Sequence, residues 1–101
     1  MILYNVTVNV EETVVGDWLT WMKEEHIPEV LATGCFVEHK ILKLLQEDPE
    51  AQGSTYAIQY FAETMHQINH YLNNHAPLLR QKHVDRYLNK CVSFRTLLEV
   101  V

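Results

Sequence analysis

The chain has 101 residues, of which 48% are hydrophobic and 21% charged, with three glycines and three prolines. This composition predicts one folded domain over residues 1–101 and excludes a disordered tail, a collagen-like fibre and a low-complexity linker. Thirteen acidic against eight basic residues give a net charge of -5, and the basic residues form no cluster. The sequence therefore disfavours nucleic acid as a partner.

Two further features bear on location. The sequence has no apolar run of about eighteen residues that could span a membrane, and residues 1–10 lack the positive charge of a signal peptide. The two cysteines, Cys35 and Cys91, are too few for a disulfide scaffold and lack the paired spacing of zinc and redox motifs. We therefore expect free thiols, no membrane partner and a cytoplasmic location.

The first part of the chain predicts a strand followed by a broken helix. Residues 2–10 alternate with a period of two, which is typical of a strand with one apolar face. From Thr13 onward the apolar residues recur at helical spacing. Pro28 is expected to break this helix near His26 because proline lacks an amide hydrogen, and Gly34 is expected to close the segment.

The rest of the chain predicts a hairpin, a second helical region and a final strand. Residues 35–46 precede a turn-forming stretch, which favours a strand, and residues 54–62 are rich in β-branched and aromatic types. Apolar spacing predicts a helix over 64–74, which Pro77 restarts, and residues 92–101 alternate as a closing strand.

This β-α-β-β-α-β order predicts an α+β fold, the ferredoxin-like sandwich. Two right-handed crossovers place both helical regions on one face of an antiparallel sheet, with the first and third strands in its centre. No internal repeat or linker interrupts the order.

The other face of the sheet is expected to carry a mixed set of polar and apolar side chains, whereas Tyr56 and Tyr60 should face the helices. The expected set is Leu3, Asn5, Thr7, Asn9, Thr55, Ala57, Gln59, Phe61, Ser93, Arg95, Leu97 and Glu99. Such a face is either the solvated side of the sheet or, because it includes apolar patches, the interface of a homodimer. Pairing two sheets would form a dimeric α/β barrel with a partly polar lumen.

Arg95 is expected to mark the polar end of a ligand site in that lumen. Aligning the first and last strands antiparallel sets Ser93 opposite Asn9, Arg95 opposite Thr7 and Leu97 opposite Asn5. Either Arg95 forms an internal salt bridge with Glu99, or its guanidinium receives an acidic group of a small ligand. The predicted ligand-binding residues are Asn5, Thr7, Asn9, Gln59, Arg95 and Glu99.

Three segments resemble an uncharacterised bacterial family, a domain of unknown function. They are Met-Ile-Leu-Tyr-Asn-Val-Thr-Val-Asn-Val (1–10), His-Ile-Pro-Glu-Val-Leu-Ala-Thr-Gly (26–34) and Phe-Arg-Thr-Leu-Leu-Glu-Val-Val (94–101). The resemblance implies kinship with the dimeric α/β-barrel proteins. That superfamily includes antibiotic-biosynthesis monooxygenases, haem-degrading monooxygenases, muconolactone isomerases and EthD-like proteins. It brings no assigned activity with it.

The haem-degrading members use an Asn on the first strand, a Trp on the third strand and a His on the second helix. Asn5 or Asn9 could match the first position, and His75 or His83 could match the last. Residues 54–62 contain no Trp, which weakens the haem interpretation. We accordingly expect no cofactor.

Histidines are the remaining candidates. His26, near Pro28, could present an imidazole to a pocket mouth as a catalytic residue, or could simply pack against the helix end. His66 and His70 are four apart with His75 nearby, but no carboxylate or cysteine joins them at ligand spacing. We therefore expect no metal site there and a solvated helix surface instead.

Two functions remain open. One is a non-catalytic dimer that binds a small molecule; the sequence favours it slightly, because no catalytic set is complete. The alternative is a cofactor-independent monooxygenase or isomerase acting on a small apolar or aromatic compound. The sequence contains no Gly-rich phosphate loop, no nucleophile motif and no convincing carboxylate pair, so whether the protein is an enzyme stays open.

Overall fold

A computed structural model describes all residues from Met1 to Val101. The strands are β1 (Ile2–Val10), β2 (Glu38–Lys43), β3 (Ser54–Ala62) and β4 (Cys91–Glu99). The helices are α1 (Val15–Trp21), α2 (Ile27–Ala32), α3 (Met65–Asn74) and α4 (Ala76–Arg86), with a 3-10 turn at Glu12–Val14 and a π-helical segment at Met22–His26. The strands form one antiparallel sheet in the order β2-β3-β1-β4. The predicted ferredoxin-like α+β fold is confirmed, and the sheet of the single chain is open.

The helical segment after β1 is continuous, so the predicted break near His26 is wrong. His26 keeps helical backbone angles, with φ of -68° and ψ of -52°, and Pro28 lies in the first turn of α2. Proline is tolerated in a first helical turn, and the wider π segment directly before it changes the hydrogen-bond pattern without ending the helix. Gly34, with φ of 76°, closes the segment as predicted.

The second strand is shorter than the predicted span of 35–46. Cys35 and Phe36 are buried in the core and precede the strand. Sheet pairing then begins where the amide of Val37 donates to the carbonyl of Phe61 at 2.8 Å. The prediction included Cys35 and Phe36 in the strand because they are apolar, but they lie in the turn after Gly34.

The second helical region follows the prediction. Thr64 caps α3 through a capping box, in which its hydroxyl accepts from the amide of Gln67 and the Gln67 side chain accepts from the amide of Thr64. Pro77 lies in the first turn of α4, so a new helix starts there. None of the helices has the length and apolar character that crossing a bilayer requires.

The helices cover one face of the sheet, and the core lies between them. Tyr4, Val8 and Val10 of β1 pack there with Trp18 of α1 and Ile68 of α3. Tyr56 and Tyr60 lie on this covered face, as predicted.

The register of β4 differs by one residue from the prediction. Asn9 is opposite Val92, Thr7 opposite Phe94 and Asn5 opposite Thr96. A shift of one residue moves every side chain of a strand to the other face of the sheet. Asn89, with φ of 61°, forms the tight turn before β4, and the amide of Glu11 donates to the carbonyl of Lys90 at 2.9 Å. This turn fixes the register that the strand lengths alone left undetermined.

The shift gives the uncovered side of the sheet, here called the open face, a more apolar character than expected. Ser93, Arg95, Leu97 and Glu99 lie on the side of the helices, which corrects their predicted placement. The open face consists of Leu3, Asn5, Thr7, Asn9, Glu38, Lys40, Leu42, Thr55, Ala57, Gln59, Phe61, Val92, Phe94, Thr96 and Leu98.

Candidate functional site

A narrow cleft lies between the sheet and the helices. Its free volume is about 40 Å³. Val6, Val8, Met22 and Ile58 form its apolar floor. Its polar residues come from β1, the π segment, β3, both later helices and β4: Tyr4, His26, Tyr60, Tyr71, Arg80, His83, Ser93 and Arg95.

Two arginines meet at one hydroxyl in this cleft. Arg80 donates from Nη2 to Tyr4 Oη at 3.0 Å, and Arg95 donates from Nε to the same oxygen at 3.1 Å. Neither guanidinium has a carboxylate partner, and Arg80 Nε is buried without any partner. The ion pairs of the chain use other residues, namely Lys82 with Glu29, Arg86 with Asp17 and Lys90 with Glu11. The cleft therefore combines two uncompensated positive charges with unused donor capacity.

Aromatic rings surround the shared hydroxyl. The Tyr4 ring lies 6.2 Å from both Phe36 and Tyr60 and 5.7 Å from Tyr71, measured between ring centroids. Burial raises the pKa of Tyr60 and of Tyr71, so their hydroxyls stay protonated at neutral pH. Neither of these two hydroxyls therefore supplies a negative charge that would neutralise the arginines.

Two neutral histidines line the same cleft. Trp18 donates from Nε1 to His83 Nε2 at 2.9 Å, and His26 stacks on Trp21 with ring centroids 4.9 Å apart. Burial, and next the proximity of His83, lowers the pKa of His26 to about 4. Burial, and next the charge of Arg95, lowers the pKa of His83. His26 Nδ1 is buried without a partner. With the ring proton on Nε2, this nitrogen is available to accept a proton.

The structure does not bring the predicted ligand-binding residues together. Asn5, Thr7, Asn9 and Gln59 lie on the open face as expected, whereas Arg95 and Glu99 lie on the other side of the sheet. The predicted single site is therefore wrong as a spatial group, because the register of β4 moves its members apart.

The individual contacts support the same correction. Asn5 donates from Nδ2 to Thr7 Oγ1 and Thr96 Oγ1, at 3.1 and 3.2 Å. Asn9 donates to the carbonyl of Gln52 at 3.1 Å, which ties down the turn before β3. The alternative of an Arg95–Glu99 salt bridge is absent, since Glu99 pairs with Ile2 at the end of the sheet and forms no ion pair.

Sequence reasoning missed Tyr4 and Arg80. Tyr4 carries the one hydroxyl on the apolar face of β1, which is a signal for a buried polar contact. Arg80 belongs to a helical stripe that the spacing of Ala76, Arg80, His83 and Tyr87 already indicates. A charged residue within such a stripe points to a polar interior site.

The residues that could match a haem-degrading site do not face one pocket. His83 lines the cleft on the covered face, whereas Asn5 and Asn9 lie on the open face. The chain therefore does not offer that asparagine and histidine to one haem from within a single subunit.

A second group of side chains lies outside the cleft. The ligand atoms of Cys35, His70 and His75 are all within 4.8 Å of one another. In the sequence, no cysteine joins these histidines at ligand spacing. In the fold, the turn after Gly34 brings the Cys35 thiol to the α3–α4 corner, beside His70 and His75.

Comparisons with solved structures support the fold. The chain is similar to an EthD (ethyl tert-butyl ether d) family protein from Bacillus halodurans, with 10% identity, a TM-score of 0.68 and 100% of each chain covered. It is also similar to a mutant of SnoaB, a cofactor-independent oxygenase from Streptomyces nogalater, with 10% identity, a TM-score of 0.60, and 98% of this chain and 91% of that chain covered. A dimeric ferredoxin-like protein from an uncultured marine organism has 11% identity and a TM-score of 0.67, with 100% and 95% covered. At such identities the likeness shows the fold alone.

The sequence comparisons show the family. No curated relative matches the chain. A family model described as "Domain of unknown function (DUF4286)" matches residues 1–101. Because that match spans the chain from Met1 to Val101, the protein belongs to the DUF4286 family.

Proposed function

We propose that the protein is a homodimer in which each subunit binds a small, planar organic acid in the cleft between sheet and helices. The observation that carries this proposal is the convergence of Arg80 and Arg95 on Tyr4 Oη, with neither guanidinium in an ion pair. The two free thiols, Cys35 and Cys91, support work in the reducing cytoplasm.

The charge arrangement favours an anion. Arg80 is half-buried, where a guanidinium without a counter-charge is costly, and a carboxylate can accept from its fork of donors in a bidentate manner. Arg80 Nε has no hydrogen-bond partner and can still donate. Arg80 belongs to α4 and Arg95 to β4, so an acidic group between them would accept hydrogen bonds from two sides. A ligand group with one negative charge therefore fits between the two guanidinium groups.

The walls favour a flat, apolar body behind the acidic group. Tyr4, Tyr71 and Met22 line the cleft, and aromatic and sulfur-containing side chains pack well on planar rings. A free volume of about 40 Å³ is enough for an acidic group or a few waters. The remainder of a ligand would enter beside Arg95, whose exposed side chain lies on the edge strand and can move.

The test of this site uses small aromatic carboxylates and phenolates. Native mass spectrometry of freshly purified protein would identify any ligand that co-purifies, and thermal shifts would rank the panel. Arg80→Met and Arg95→Met are each expected to weaken binding by about tenfold or more, because each removes a charge-assisted hydrogen bond.

Arg86→Met is the matched control. Arg86 is also on α4, but it pairs with Asp17 at 3.5 Å and does not line the cleft. Equal affinity of the wild type and of Arg80→Met and Arg95→Met would contradict the proposed site. Loss of dimerisation with unchanged affinity in Arg95→Met would make that residue structural.

The open face supports the homodimer. Val92 is 75% exposed and Phe94 is 60% exposed in the single chain, Leu98 is exposed on the same strand, and Leu42 is exposed on the opposite edge strand. Contiguous apolar patches of this kind mark interfaces, and the same face on a second copy would cover them by two-fold symmetry. The similar structure described as dimeric supports this assembly. A sedimentation mass of one subunit at micromolar concentration would contradict it.

A second candidate function is a cofactor-independent oxygenase or isomerase reaction. It is favoured by His26, whose buried Nδ1 lacks a partner in the same cleft as both arginines. In this reaction His26 takes a proton from an acidic C–H or O–H of the substrate, and the guanidinium groups stabilise the resulting anion. The similarity to a cofactor-independent oxygenase supports such chemistry.

Deuterium exchange tests this step directly. Aromatic ketones with acidic α-hydrogens would be incubated with the protein in D₂O and followed by NMR, and His26→Gln is expected to abolish exchange. Since the pKa of His26 is lowered to about 4, the rate should stay flat between about pH 6 and 8. Absence of exchange in the wild type, with ligand binding retained, would leave the protein a binding module.

A further inference from the structure

A group of sulfur and nitrogen atoms lies at the corner between α3 and α4, away from the arginine pair. His70 lies in the second half of α3, one turn before its end, and His75 is the residue between α3 and α4. Cys35 follows the left-handed turn of Gly34 at the end of α2. Three separate parts of the chain thus meet at one point.

We infer that Cys35, His70 and His75 form a binding site for a zinc ion. Their ligand atoms lie within 4.8 Å of one another. At that upper bound, the centre of an equilateral triangle is about 2.8 Å from each atom, compared with bond lengths of about 2.0–2.3 Å to zinc. Side-chain rotations that move each ligand atom by less than about 1 Å would therefore bring all three to bonding distance of one zinc ion.

The surroundings hold two of the three ligands in place. Cys35 is buried; its amide donates to Thr33 Oγ1 at 3.4 Å, and its Sγ lies 3.9 Å from the Thr33 carbonyl oxygen. The amide of His75 donates to the carbonyl of Tyr71 at 2.9 Å, and the His75 ring stacks on the Tyr71 ring. The thiol and one imidazole are therefore oriented before a metal arrives.

Asn74 is the neighbour that metal binding would rearrange. Its Nδ2 donates to the His70 carbonyl at 2.9 Å and lies 3.2 Å from His70 Nδ1. Coordination through Nδ1 would replace this second contact. Coordination through Nε2 would require Nδ1 to carry the proton, and Asn74 would then turn its amide oxygen toward it.

The ligand types select the kind of metal. One thiolate and two imidazoles suit zinc, whereas magnesium and calcium prefer oxygen ligands. Three protein ligands leave a fourth coordination position, and His70 is exposed, so this position lies toward solvent and can take water. The site is independent of the proposed ligand cleft, because none of its three residues lines that cleft.

The experiment titrates Zn²⁺ into the reduced, chelator-treated and desalted full-length chain by calorimetry, with Mg²⁺ as the comparison ion. We expect one Zn²⁺ per chain and no Mg²⁺ binding. His70→Ala and Cys35→Ser are each expected to weaken Zn²⁺ binding by at least about tenfold. Co²⁺ in place of Zn²⁺ should give a thiolate charge-transfer absorption that Cys35→Ser removes.

His66→Ala is the matched control, since His66 is an exposed histidine one turn earlier on the same helix but outside the cluster. It should bind Zn²⁺ as the wild type does. Unchanged affinity in His70→Ala, an equal loss in His66→Ala, or no Zn²⁺ binding by the wild type would each overturn the inference. His70 is exposed, so its variant remains informative even where Cys35→Ser lowers stability.

Discussion

The two faces of the sheet differ in how far their apolar side chains are buried within the single chain. On the covered face, Trp18 and Ile68 are fully buried, yet Arg80 and Arg95 hold charge at the edge of the same layer. The open face carries no arginine pair; its charged residues, Glu38 and Lys40, lie on the edge strand β2, and apolar residues such as Phe94 remain exposed. Burial within this chain is therefore completed only where helices lie, and the other face is the one that we propose a second copy covers.

The largest expected effect is on the covered face. Trp18→Ala removes a fully buried ring that packs against Tyr56 and donates to His83. It is expected to lower the free energy of unfolding by about 3–5 kcal/mol, as large core truncations do. Urea unfolding would measure this.

Phe94→Ala supplies the contrast on the open face. In dilute, monomeric protein it should change the free energy of unfolding by less than about 1 kcal/mol, and at high concentration by more, because only the dimer buries Phe94. A concentration-independent loss as large as that of Trp18→Ala would end the distinction between the two faces.

The next largest effect is that acid should lower the free energy of unfolding through the histidines of the covered face. His26 has a pKa of about 4 in the folded chain against 6.5 without its environment, and the pKa of His83 is also lowered. The unfolded chain then binds more protons below pH 6.5, so stability is constant above that pH and falls between about pH 6.5 and 4. His26 alone can contribute up to about 3 kcal/mol to the fall.

NMR titration of the imidazole Cε1 protons, together with urea unfolding across this pH range, would check that expectation. His26→Gln should flatten the pH dependence, whereas His66→Gln, at an exposed position, should not. A His26 pKa near 6.5 in the folded protein would refute both the buried environment and its effect on stability.

A charge on the open face should separate the subunits. Phe94→Glu places a carboxylate within the proposed interface and is expected to raise the dimer dissociation constant by at least about 100-fold. Leu78→Glu is the control, because Leu78 is an exposed apolar residue on α4 and not on the sheet. Sedimentation velocity on both variants would decide, and a Phe94→Glu dimer of wild-type strength would show that the interface lies elsewhere.

The smallest effect concerns the thiols. Cys91 is opposite Val10 at one end of β1. Cys35 is two residues before Val37, whose amide donates to the carbonyl of Phe61, and Phe61 is opposite Leu3 at the other end of β1. The separation is on the order of 20 Å, well beyond the limit of about 7 Å for a disulfide. Non-reducing peptide mapping should find no Cys35–Cys91 link.

Alkylation gives the companion measurement. Burial raises the pKa of Cys91 to about 11, so at pH 8 only about 0.1% of it is thiolate, and its alkylation should be slow. Rapid modification of native Cys91 would contradict its partly buried position.

Much of the fold follows from local pattern. Alternation in β1 and β3 predicts both their faces correctly, because every second side chain of a strand points to the same face, and Tyr4 and Tyr60 are buried on that face. β4 alternates as clearly, yet apolar Val92 and Phe94 face away from the helices. Alternation shows that two faces differ, but only the turn at Asn89 decides which face lies inward.

The candidate site was less accessible from sequence. Arg95 lines the cleft, but its neighbours differ from the predicted ones, because its contacts depend on that register. Cys35 and His70 are far apart in the chain, so their proximity depends on how α2 and α3 pack. Sequence spacing detects ligands on one element, whereas sites shared between elements require the tertiary structure.

The π-helical segment at Met22–His26 also bears on insertions and deletions. A single π turn accommodates one residue more than an α-helix needs between the same two faces. Deleting exposed Lys23 could therefore restore a regular α-helix and leave Trp18 and Val30 facing the core, whereas a deletion within α3 would rotate the remainder of that helix by about 100°. The helix can thus lose this one residue without changing which of its side chains face the core, and the deletion would chiefly change the direction of the His26 ring.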